Sequence, residues 1–439
     1  MKKSWIFFDL DGVLVDSVPL LKRTFFDFGR KFSVKLSPAD FDKCNGLNVK
    51  EIAAYLKRKG GLSYSVKDLK KKYEEVLKKV RSGIRVKKEV LDALKKLKKR
   101  GWNLALVTSA PSGYLRAIIK KGGAEKLFDF TVSGEDFKKA KPHPEIYLKA
   151  VKKAGRGFYV AVEDSENGLA AARKAGCFAL KYDRNLKKDS FFSFRNFNDL
   201  RKKLIIAGEN SFLAAKITAK NKISFREDKK IHLNFFSRAE INDFWRKSRK
   251  KNSRLFDGKI FALGYEAAPF DFHGKFTDYA GAFYSAEKGR PAGPIYCGVT
   301  GIARFNGGYL LARRSNDTTR GGLYEFAPAG AIDASAQRGG RAQPLVQLKK
   351  ELKEEMGFDS RCISSITPVF LALEISTGVM DVFFKIQLSG LSDVHSFFNA
   401  SSEHEDFKFF SRRGLKKALR QKPEMFLENV GLVQQLDFL

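Results

Sequence analysis

The chain has 439 residues, of which 43% are apolar, and it carries a formal net charge of +34. This length exceeds the roughly 100–200 residues of one ordinary domain, so we expect two or three domains with packed cores. No apolar run approaches the ~20 residues that a membrane span needs, and the first residues lack a signal-peptide pattern, which argues against a membrane protein and favours the cytoplasm. The cysteines are scattered without a CxxC pair, as expected in a reducing compartment: Cys44, Cys177, Cys297 and Cys362.

The positive charge admits two interpretations. Lysines and arginines that neutralise phosphates would bind nucleic acid with a strong salt dependence. However, many of the lysines lie in helical runs such as residues 95–99, where they form a solvated face. No zinc-finger spacing or RNA-binding aromatic motif accompanies them. A lysine-rich soluble surface that attracts small anions is therefore favoured, and nucleic acid is the less favoured partner.

Strand and helix patterns alternate in the N-terminal half. Apolar strands are predicted at Trp5–Phe8 and Asn103–Val107, with a helical, Lys- and Glu-rich insertion between them. The alternation continues at Phe128–Val132, Glu145–Lys153, Phe158–Val162, Leu169–Ala175 and Phe178–Lys181. This order predicts an α/β domain over residues 1–207, with a Rossmann-like parallel sheet and an all-helical cap over about residues 17–88.

The pattern changes near Gly208. From there the chain is rich in β-branched and aromatic residues, and Asn306-Gly307-Gly308 between two apolar runs predicts a hairpin. Further elements are predicted at Pro344–Met356 (helix), Val369–Glu374 (strand), Val379–Leu388 (strand) and Arg412–Arg420 (helix). A separate α+β domain is therefore expected over residues 208–439, with an N-terminal extension over about 208–290 and a core over about 291–439.

Two aspartates directly follow the first strand, in the segment Asp9-Leu10-Asp11-Gly12. Side chains two apart on an extended segment point the same way, so Asp9 and Asp11 can converge on one site. Two close carboxylates repel each other and favour a cation, and hard oxygen ligands favour Mg²⁺, with Mn²⁺ as the alternative ion. An isolated Asp-rich loop is more often a turn or a helix cap, so the segment needs support from elsewhere in the chain.

Three later segments supply that support. A strand ends at Thr108-Ser109, Lys141 opens the segment Lys141-Pro142-His143-Pro144-Glu145 before a helix, and Glu163-Asp164 ends another strand. Ligands of parallel α/β sheets bind at the carboxyl ends of strands, and all four segments fall there.

In this order, the four segments resemble the motifs of the haloacid dehalogenase superfamily over about residues 2–208: DxDGxxxDS, a strand-end Thr, KPxPE and EDSxxGxxAA. The resemblance implies that Asp9 attacks phosphorus and forms an aspartyl-phosphate. It also implies that Asp11 protonates the leaving oxygen and then deprotonates the attacking water.

The same resemblance assigns the other residues of the site. Thr108, with Ser109, and Lys141 would hold the transferring phosphoryl group. The Mg²⁺ ion would be bound by Asp9, Asp11 and Asp164, with Glu163 either a direct ligand or a supporting group.

The helical insertion resembles the cap of the branch that includes β-phosphoglucomutases and phosphoglycolate phosphatases. Caps of this kind exclude water and select the substrate, and Asn45 and Gly46 are candidate substrate-binding residues. An ordinary helix start with Asn48 as N-cap explains the same segment equally well. The mutases carry a histidine shortly after the first motif, and residues 17–23 contain none. A phosphatase acting on a small phosphorylated metabolite is therefore favoured, with sugar phosphates as the candidate class.

Three glutamates share one face of the helix predicted at residues 344–356. Glu351, Glu354 and Glu355 are spaced i, i+3, i+4, and three carboxylates there are destabilising unless a divalent metal bridges them. The pair Lys350 and Glu354 also suits an ordinary Lys/Glu surface helix, which is the simpler interpretation.

Together with Arg313-Arg314 and the Gly-rich segment at 321–330, this helix resembles the Nudix hydrolases from about residue 296 onward. The resemblance implies that Glu351, Glu354 and Glu355 bind Mg²⁺, polarise a diphosphate and activate a water, with Glu355 catalytic. Arg313 and Arg314 would bind the substrate, a nucleoside diphosphate derivative.

The chain departs from the Nudix pattern at three points. Lys350 replaces the arginine of the motif, Ala342 stands where an early glutamate should fall, and the loop after Gly330 is longer than in the family. A lysine lacks the bidentate fork that normally orients the glutamates. Because the three metal-binding glutamates survive, an active but atypical enzyme is favoured over a degenerate ligand-binding module.

Weaker signals surround this motif. Glu403 or Glu405 could assist as a base, although a solvent-facing acidic turn is the favoured interpretation. The segment with Phe244-Trp245-Arg246 and residues 252–258 is similar to the leader of nucleotide-sugar diphosphatases in the Nudix group. Trp245 and Phe256 are expected to be core residues rather than base-stacking platforms.

The main hypothesis is a bifunctional, Mg²⁺-dependent enzyme. The Nudix half would split a nucleoside diphosphate derivative, with nucleotide sugars as the candidate class, and the phosphatase would act on a phosphorylated product. Two alternatives remain open: the C-terminal half is a ligand sensor that regulates the phosphatase, or the chain is a basic protein associated with nucleic acid.

Overall fold

The computed structural model describes residues 3–81, 84–207, 210–218, 222–231, 233, 237–251, 255, 258–288, 294–316, 318, 320–358, 360–389 and 403–436. The chain divides into two compact units, Met1–Arg201 and Lys202–Leu439. This division lies a few residues before the domain boundary at 207/208 that the composition predicts.

A six-stranded parallel sheet forms the centre of the first unit. Its strands are β1 (Lys3–Phe8), β2 (Asn103–Val107), β3 (Phe130–Val132), β4 (Gly157–Glu163), β5 (Phe178–Tyr182) and β6 (Ser193–Phe194). They lie in the order β3-β2-β1-β4-β5-β6, and each neighbouring pair is parallel. The central strands are almost wholly buried apolar runs, as in sheets that helices cover on both faces. The predicted α/β core is therefore confirmed.

In the described residues, eight helices of the first unit, together with α9, which crosses its boundary, divide into a core set and a cap set. The core set is α5 (Lys88–Lys99), α6 (Ser112–Lys121), α7 (Glu145–Ala154), α8 (Glu166–Lys174) and α9 (Phe197–Lys203). The cap set is α1 (Val18–Lys31), α2 (Pro38–Cys44), α3 (Val49–Gly60) and α4 (Val66–Arg81). The cap has its own apolar core, built around Phe25, Phe28, Leu56 and Tyr73.

The start of α2 shows why the cap folds locally. Ser37 is its N-cap and accepts from the Asp40 backbone N–H, while Asp40 accepts from the Ser37 backbone N–H at 2.7 Å, which completes a capping box. Pro38 occupies the first helical turn, where a missing N–H costs nothing. Farther along the cap segment, Asn48 is the N-cap of α3 and accepts from the Glu51 backbone N–H at 3.0 Å.

The second unit is built on a large mixed sheet. Its strands are β7 (Leu204–Ala207), β8 (Asn210–Lys216), β9 (Ser224–Glu227), β10 (Lys259–Ala268), β11 (Asp271–Asp278), β12 (Ile295–Phe305), β13 (Gly308–Arg314), β14 (Tyr324–Phe326), β15 (Ala329–Ala331), β16 (Gln337–Arg338), β17 (Arg341–Ala342), β18 (Ile363–Glu374), β19 (Val379–Leu388) and β20 (His404–Ser411). The path β16-β17-β9-β11-β10-β12-β19-β18-β8-β7 runs through it. Strands β13 and β15 pair with β12 beside this path, and β14 and β20 pair with β13. The predicted hairpin is present, since Arg304 pairs with Tyr309 and the turn residues Asn306 and Gly307 have φ of 44° and 77°.

Five helices accompany this sheet in the described residues: α10 (Arg238–Lys251), α11 (Tyr279–Lys288), α12 (Pro344–Met356), α13 (Arg412–Gln421) and α14 (Glu428–Gln435). Helix α12 spans the predicted residues because Pro344 begins its first turn and Gly357, at φ 68°, ends it in the left-handed region. Its buried face carries Leu348, Leu352 and Met356, with Glu355 beside them.

Three further expectations concern the cysteines, membrane-spanning helices and the packing of Trp245 and Phe256. All four cysteines are free. Among the described helices, none combines the length and the apolar character that crossing a membrane would require. Trp245 is half-buried in α10, where its ring packs edge-on against Tyr279 and Phe283, whereas Phe256 and most of the segment 252–258 lie outside the described residues.

Candidate active sites

Asp9 stands at the carboxyl end of the central strand β1. Its backbone N–H donates to the Val162 carbonyl at 3.0 Å, which continues the pairing of β1 with β4 by one residue. The side chain is buried. Gly12 then turns the chain at φ 83°, and a Cβ at that position would overlap the carboxylate of Asp164. Glycine is required there because the backbone is left-handed and because Asp164 approaches it closely.

Lys141 links two carboxylates inside the core. Its Nζ donates to Asp9 Oδ1 at 2.9 Å and to Glu163 Oε1 at 2.5 Å, and its side chain is 1% exposed. Glu163 is fully buried at the end of β4, where its Oε1 also accepts from the Tyr147 hydroxyl. A Cβ on Gly168 would overlap the Glu163 carboxylate, so residue 168, in the first turn of α8, must be glycine to leave room for the Glu163 side chain.

Three acidic side chains converge beside Lys141. Asp9, Glu163 and Asp164 each offer a carboxylate oxygen, and these oxygens lie within 4.8 Å of one another. Glu163 Oε2 is buried without a hydrogen-bond partner. Oxygen donors of this kind, with one buried acceptor left unsatisfied, fit a hard divalent cation such as Mg²⁺.

The electrostatics of the cluster lead to the same conclusion. Burial raises the pKa of Asp9 well above its usual range, Lys141 opposes this effect, and Glu163 and Asp164 reinforce it. Burial and the charge of Glu163 raise the pKa of Asp164 to about 7. Burial would lower the pKa of Lys141, but Asp9 and Glu163 outweigh it and raise that pKa. One ammonium group does not balance three carboxylates, so the cluster has room for further positive charge.

The other predicted residues of this site line one cavity with Asp9. Its lining includes Asp11, Thr108, Ser109, Asn45 and Gly46. Thr108 is buried directly after β2, and its Oγ1 accepts from the Ala110 backbone N–H at 3.1 Å. The strand-end residues and the cap residues that the sequence indicated as candidates therefore line the same cavity.

The segment of the cap that ends α2 is bonded to the strand-end loops. Ser109 Oγ donates to the Gly46 carbonyl at 3.0 Å. Asn167 Nδ2 donates to the Lys43 carbonyl at 3.1 Å and to the Asn45 carbonyl at 2.9 Å. The predicted alternative role of Asn48 as an N-cap is confirmed, and it coexists with the position of Asn45 and Gly46 in the cavity wall.

Sequence reasoning missed three residues of this site. Tyr147 reaches Glu163 from α7, Asn167 anchors the cap segment, and the Tyr114 hydroxyl donates to Asp11 Oδ1 at 3.2 Å. Asn167 lies inside the motif that begins at Glu163, so its polar character within that motif is a usable signal. Tyr114 and Tyr147 carry no comparable signal because each occupies an ordinary position of an amphipathic helix.

A second acidic group lies in the second unit, on α12. Glu355 is 6% exposed, and its carboxylate accepts from the Ala329 backbone N–H at 3.3 Å. Glu351 is half-buried, and a Cβ on Gly330 would overlap its carboxylate. Glu354 is exposed on the same helix. The structure therefore holds Glu351 and Glu355 against the segment at β15, while Glu354 extends into solvent.

Burial shapes the titration of these two glutamates. It raises the pKa of Glu351 to about 7, where the hydrogen bond from Gln347 opposes it and the charge of Glu354 adds to it. Burial and the charges of Glu351 and Glu403 raise the pKa of Glu355 well above its usual range. The predicted base candidate Glu403 is exposed, yet its charge acts on both glutamates. Clustered acids with raised pKa values in a partly buried position are candidates for a functional site.

Lys350, which stands where the resemblance to Nudix hydrolases leads one to expect an arginine, forms its hydrogen bond with an aspartate and not with the three glutamates. Its Nζ donates to Asp333 Oδ2 at 2.7 Å. Gln347 joins the same network, since its Oε1 accepts from the Asp333 backbone N–H at 3.1 Å and its Nε2 donates to Glu351 Oε1 at 2.5 Å. Asp333 and Gln347 were missed by sequence reasoning because the long loop after Gly330 hides their relation to α12.

The two arginines upstream of the helix are both paired with acids. Arg314 donates to Glu325 Oε1 at 2.7 Å, and the buried His404 also contacts that oxygen at 3.1 Å. His404 Nδ1 lies 3.7 Å from Glu355 Oε2. Arg313 lies 3.6 Å from the base candidate Glu405. In this arrangement, Arg314 and His404 support the buried acids, and Arg313 is held at the surface.

Comparison with known proteins gives matches for the first unit. Residues 6–181 match the family described as haloacid dehalogenase-like hydrolase. A phosphorylated carbohydrates phosphatase from Thermotoga maritima is 31% identical over 178 residues, which cover 39% of this chain and 81% of that protein. A phosphoglycolate phosphatase from Aliivibrio fischeri is 32% identical over 200 residues, which cover 41% of this chain and 85% of that protein. A crystal structure of β-phosphoglucomutase from Clostridium difficile aligns with a TM-score of 0.40 at 21% identity, over 46% of this chain and 93% of that one.

Proposed function

The chain belongs to the haloacid dehalogenase-like hydrolase family, and from that premise and the site around Asp9 we propose that its N-terminal domain is a Mg²⁺-dependent phosphatase acting through an aspartyl-phosphate. The observation that supports this mechanism most strongly is the meeting of Asp9, Glu163 and Asp164 within 4.8 Å, with Lys141 at 2.9 Å from Asp9. The substrate is a small phosphorylated metabolite, and the names of the two curated relatives make sugar phosphates and phosphoglycolate the first candidates.

The chemistry has two steps. The Asp9 carboxylate attacks phosphorus, the bond from phosphorus to the ester oxygen breaks, and Asp11 gives that oxygen a proton. In the second step Asp11 takes a proton from water, the water oxygen attacks phosphorus, and the bond to Asp9 breaks to release orthophosphate. The Tyr114 hydroxyl, 3.2 Å from Asp11, orients the acid–base group.

Other residues hold the phosphoryl group and its counter-charge. Lys141 and Thr108 stabilise the phosphoryl oxygens as charge develops on them. Asp9 and Asp164 would hold Mg²⁺, with Asp11 and Glu163 contributing directly or through water, and the ion would offset the negative charge of the phosphate oxygens. Because Glu163 is fully buried and accepts from both Lys141 and Tyr147, its main role is to fix the position of the lysine.

Release of orthophosphate from a panel of phosphate esters, with Mg²⁺ and with a chelator, tests the proposal. Wild type should release phosphate only with the metal, and Asp9→Asn should lose at least about 10³-fold in rate, since the covalent step is gone. Asp189→Asn is the matched control, because Asp189 is exposed, pairs with Arg195 and does not line the cavity. Equal activity of Asp9→Asn and wild type would overturn the mechanism.

For the C-terminal domain we propose Nudix-type hydrolysis of a nucleoside diphosphate derivative. The burial of Glu355, the close approach of Glu351 to Gly330, and the network that joins Lys350 to Asp333 support it. Glu351 and Glu355, joined by Glu354 from the solvent side, would hold Mg²⁺, which would polarise the diphosphate. Arg313 and Arg314 would contact the substrate while each keeps its acidic partner, Glu405 and Glu325 respectively.

Nucleoside diphosphate sugars supplied with Mg²⁺ test this second activity. Glu355→Gln should abolish their cleavage, whereas Glu424→Gln, an exposed change elsewhere in the same unit, should leave it intact. If nucleotides bind but none is cleaved by wild type, the domain is a ligand sensor. A steep salt dependence of binding to single or double strands would instead favour a nucleic-acid role.

The presence of both domains in one chain supports a sequential reaction, in which the phosphatase consumes a product of the Nudix step. A mixture of nucleotide sugar and Mg²⁺ should then yield orthophosphate with wild type and only phosphorylated products with Asp9→Asn. Direct release of orthophosphate by Asp9→Asn would exclude the coupling.

A further inference from the structure

The cavity above Asp9 is sharply divided by polarity. Its core side carries the acids Asp9, Asp11 and Asp164. Its cap side carries aliphatic and aromatic side chains: Leu21, Phe25, Phe41, Ile52, Tyr73 and Leu77. The phosphoryl group belongs on the core side in the mechanism proposed above, so the cap side receives the leaving group.

Among the described residues, no cationic side chain lines the leaving-group side, since none of the lining residues is a lysine, arginine or histidine. Lys22, whose ammonium group lies 5.8 Å from the centre of the Phe41 ring, is not one of the lining residues. Leu47 and Val49, which flank the start of α3 next to the candidate residue Gly46, add two more apolar groups to the lining. Lys and Arg together number 83 in the chain, yet none of them belongs to the described lining of this cavity.

The polar groups on that side are few and uncharged. Asn45 offers an amide, and the Gly46 carbonyl is already engaged by Ser109. Cys44 is a buried thiol whose pKa is raised to about 12 by burial, so it carries no charge at neutral pH. None of these groups can neutralise an anion.

A carboxylate or a second phosphate placed on this side would lose its hydration without gaining an ion pair. The acids on the core side would also repel it. An uncharged leaving group with an apolar face, such as a ring or an alkyl chain, would instead bury that face against Phe25, Phe41 and Tyr73.

We infer that the phosphatase selects monoesters whose leaving group is uncharged and has a substantial apolar face, and that it rejects esters with a second negative charge. This inference rests on the phosphatase function proposed for the N-terminal domain. It narrows the candidate substrates by excluding bisphosphates and carboxylate-bearing esters such as phosphoglycolate. The formal net charge of +34 favours the arrival of any anion but does not distinguish one anion from another.

A matched trio of esters tests the selection: phenyl phosphate, 4-carbamoylphenyl phosphate and 4-carboxyphenyl phosphate. The last two have nearly the same shape and differ in charge. The kcat/KM of wild type should be about 100-fold lower or more for the carboxylate than for the amide, because the site has no partner for the charge. A difference below about threefold would overturn the inference while leaving the phosphatase function standing.

A cation introduced on the cap wall should weaken the preference for the uncharged ester. Leu21 is half-buried on the cavity wall, so Leu21→Lys can place its ammonium group among the apolar side chains with its stem packed as before. This variant should raise the ratio of kcat/KM for carboxylate over amide by at least about tenfold, as one new ion pair implies. Leu62→Lys is the control, because Leu62 is a half-buried cap residue outside the cavity lining, and its ratio should match wild type.

The arms of this experiment separate two kinds of failure. If Leu21→Lys and Leu62→Lys give the same ratio, the wall does not set the selection and the inference is wrong. If no ester is hydrolysed in an Asp9-dependent manner, the phosphatase function itself fails and the inference falls with it.

Discussion

The close contact between Gly168 and Glu163 gives a prediction in which the effect of steric overlap on stability can be separated from the effect of helix preference. Gly168 lies in the first turn of α8, and a Cβ there would overlap the Glu163 carboxylate. Gly113 lies in the first turn of α6, and a Cβ there would meet nothing within 4 Å. Both Gly→Ala changes gain roughly 0.5–1 kcal/mol of helix preference, so their difference reports the overlap alone.

The magnitude follows from what Glu163 holds. If the methyl group added by Gly168→Ala displaces the carboxylate, Lys141 loses its contact at 2.5 Å and the Tyr147 hydroxyl loses its acceptor. Disrupting a buried pair costs about 3–5 kcal/mol. After the helix gain is subtracted, Gly168→Ala should destabilise the first unit by roughly 2–4 kcal/mol, whereas Gly113→Ala should stabilise it slightly.

Tryptophan fluorescence during urea unfolding provides the assay. Trp5 and Trp102 lie in the first unit and Trp245 lies in the second, so a Trp245→Phe background reports the first unit alone. Phosphate release should fall together with stability in Gly168→Ala, because Lys141 is displaced. Equal unfolding free energies for the two Gly→Ala variants, within about 0.5 kcal/mol, would refute the assigned role of Glu163.

Three further predictions concern hydrogen bonds at other places in the chain. Hydrogen bonds from Tyr55 and Ser37 lower the pKa of Asp40. Its contribution to stability should therefore be fully present above about pH 4 and lost as the pH falls below that value. In urea unfolding, the free energy of unfolding of Asp40→Asn should fall less than that of wild type between about pH 5 and pH 2. Tyr147→Phe removes one hydrogen bond to Glu163, which predicts a fall of about tenfold in kcat for phosphate release with an unchanged circular dichroism spectrum. Because Lys350 and Asp333 form an ion pair, the double variant Lys350→Ala, Asp333→Ala should hydrolyse a diphosphate no more slowly than the slower of the two single variants. Additive losses of rate would show that the two residues act separately.

The elements whose sequence signals are local were predictable. Strand β2 covers Asn103–Val107 and α12 covers Pro344–Met356, as predicted, because apolar runs and end signals such as Pro344 and Gly357 act within a few residues. The strand-end positions of Asp9 and Glu163 were equally accessible, since each directly follows or ends an apolar run.

Contacts between distant segments were not predictable in the same way. The Tyr147 hydroxyl meets Glu163 only because α7 packs near the end of β4, and an amphipathic helix places a buried tyrosine without indicating its partner. The pairing of Lys350 with Asp333 depends on the path of the loop after Gly330. The polarity of the cap wall also depends on how separate helices are arranged around the cavity, which no single periodicity encodes.

The hydrogen bonds that join Ser109 and Asn167 to carbonyls at the end of α2 have a kinetic consequence. A cap that swings away to admit substrate must give up three bonds, each worth about 0.5–1.5 kcal/mol. The open form would then be populated at roughly 10% to below 0.1%, and the apparent affinity for substrate would fall by that fraction. Weakening these bonds would thus lower KM, but it would also admit more water to the active site. The three hydrogen-bonded carbonyls therefore set a compromise between substrate entry and protection of the phosphoryl-enzyme from premature hydrolysis.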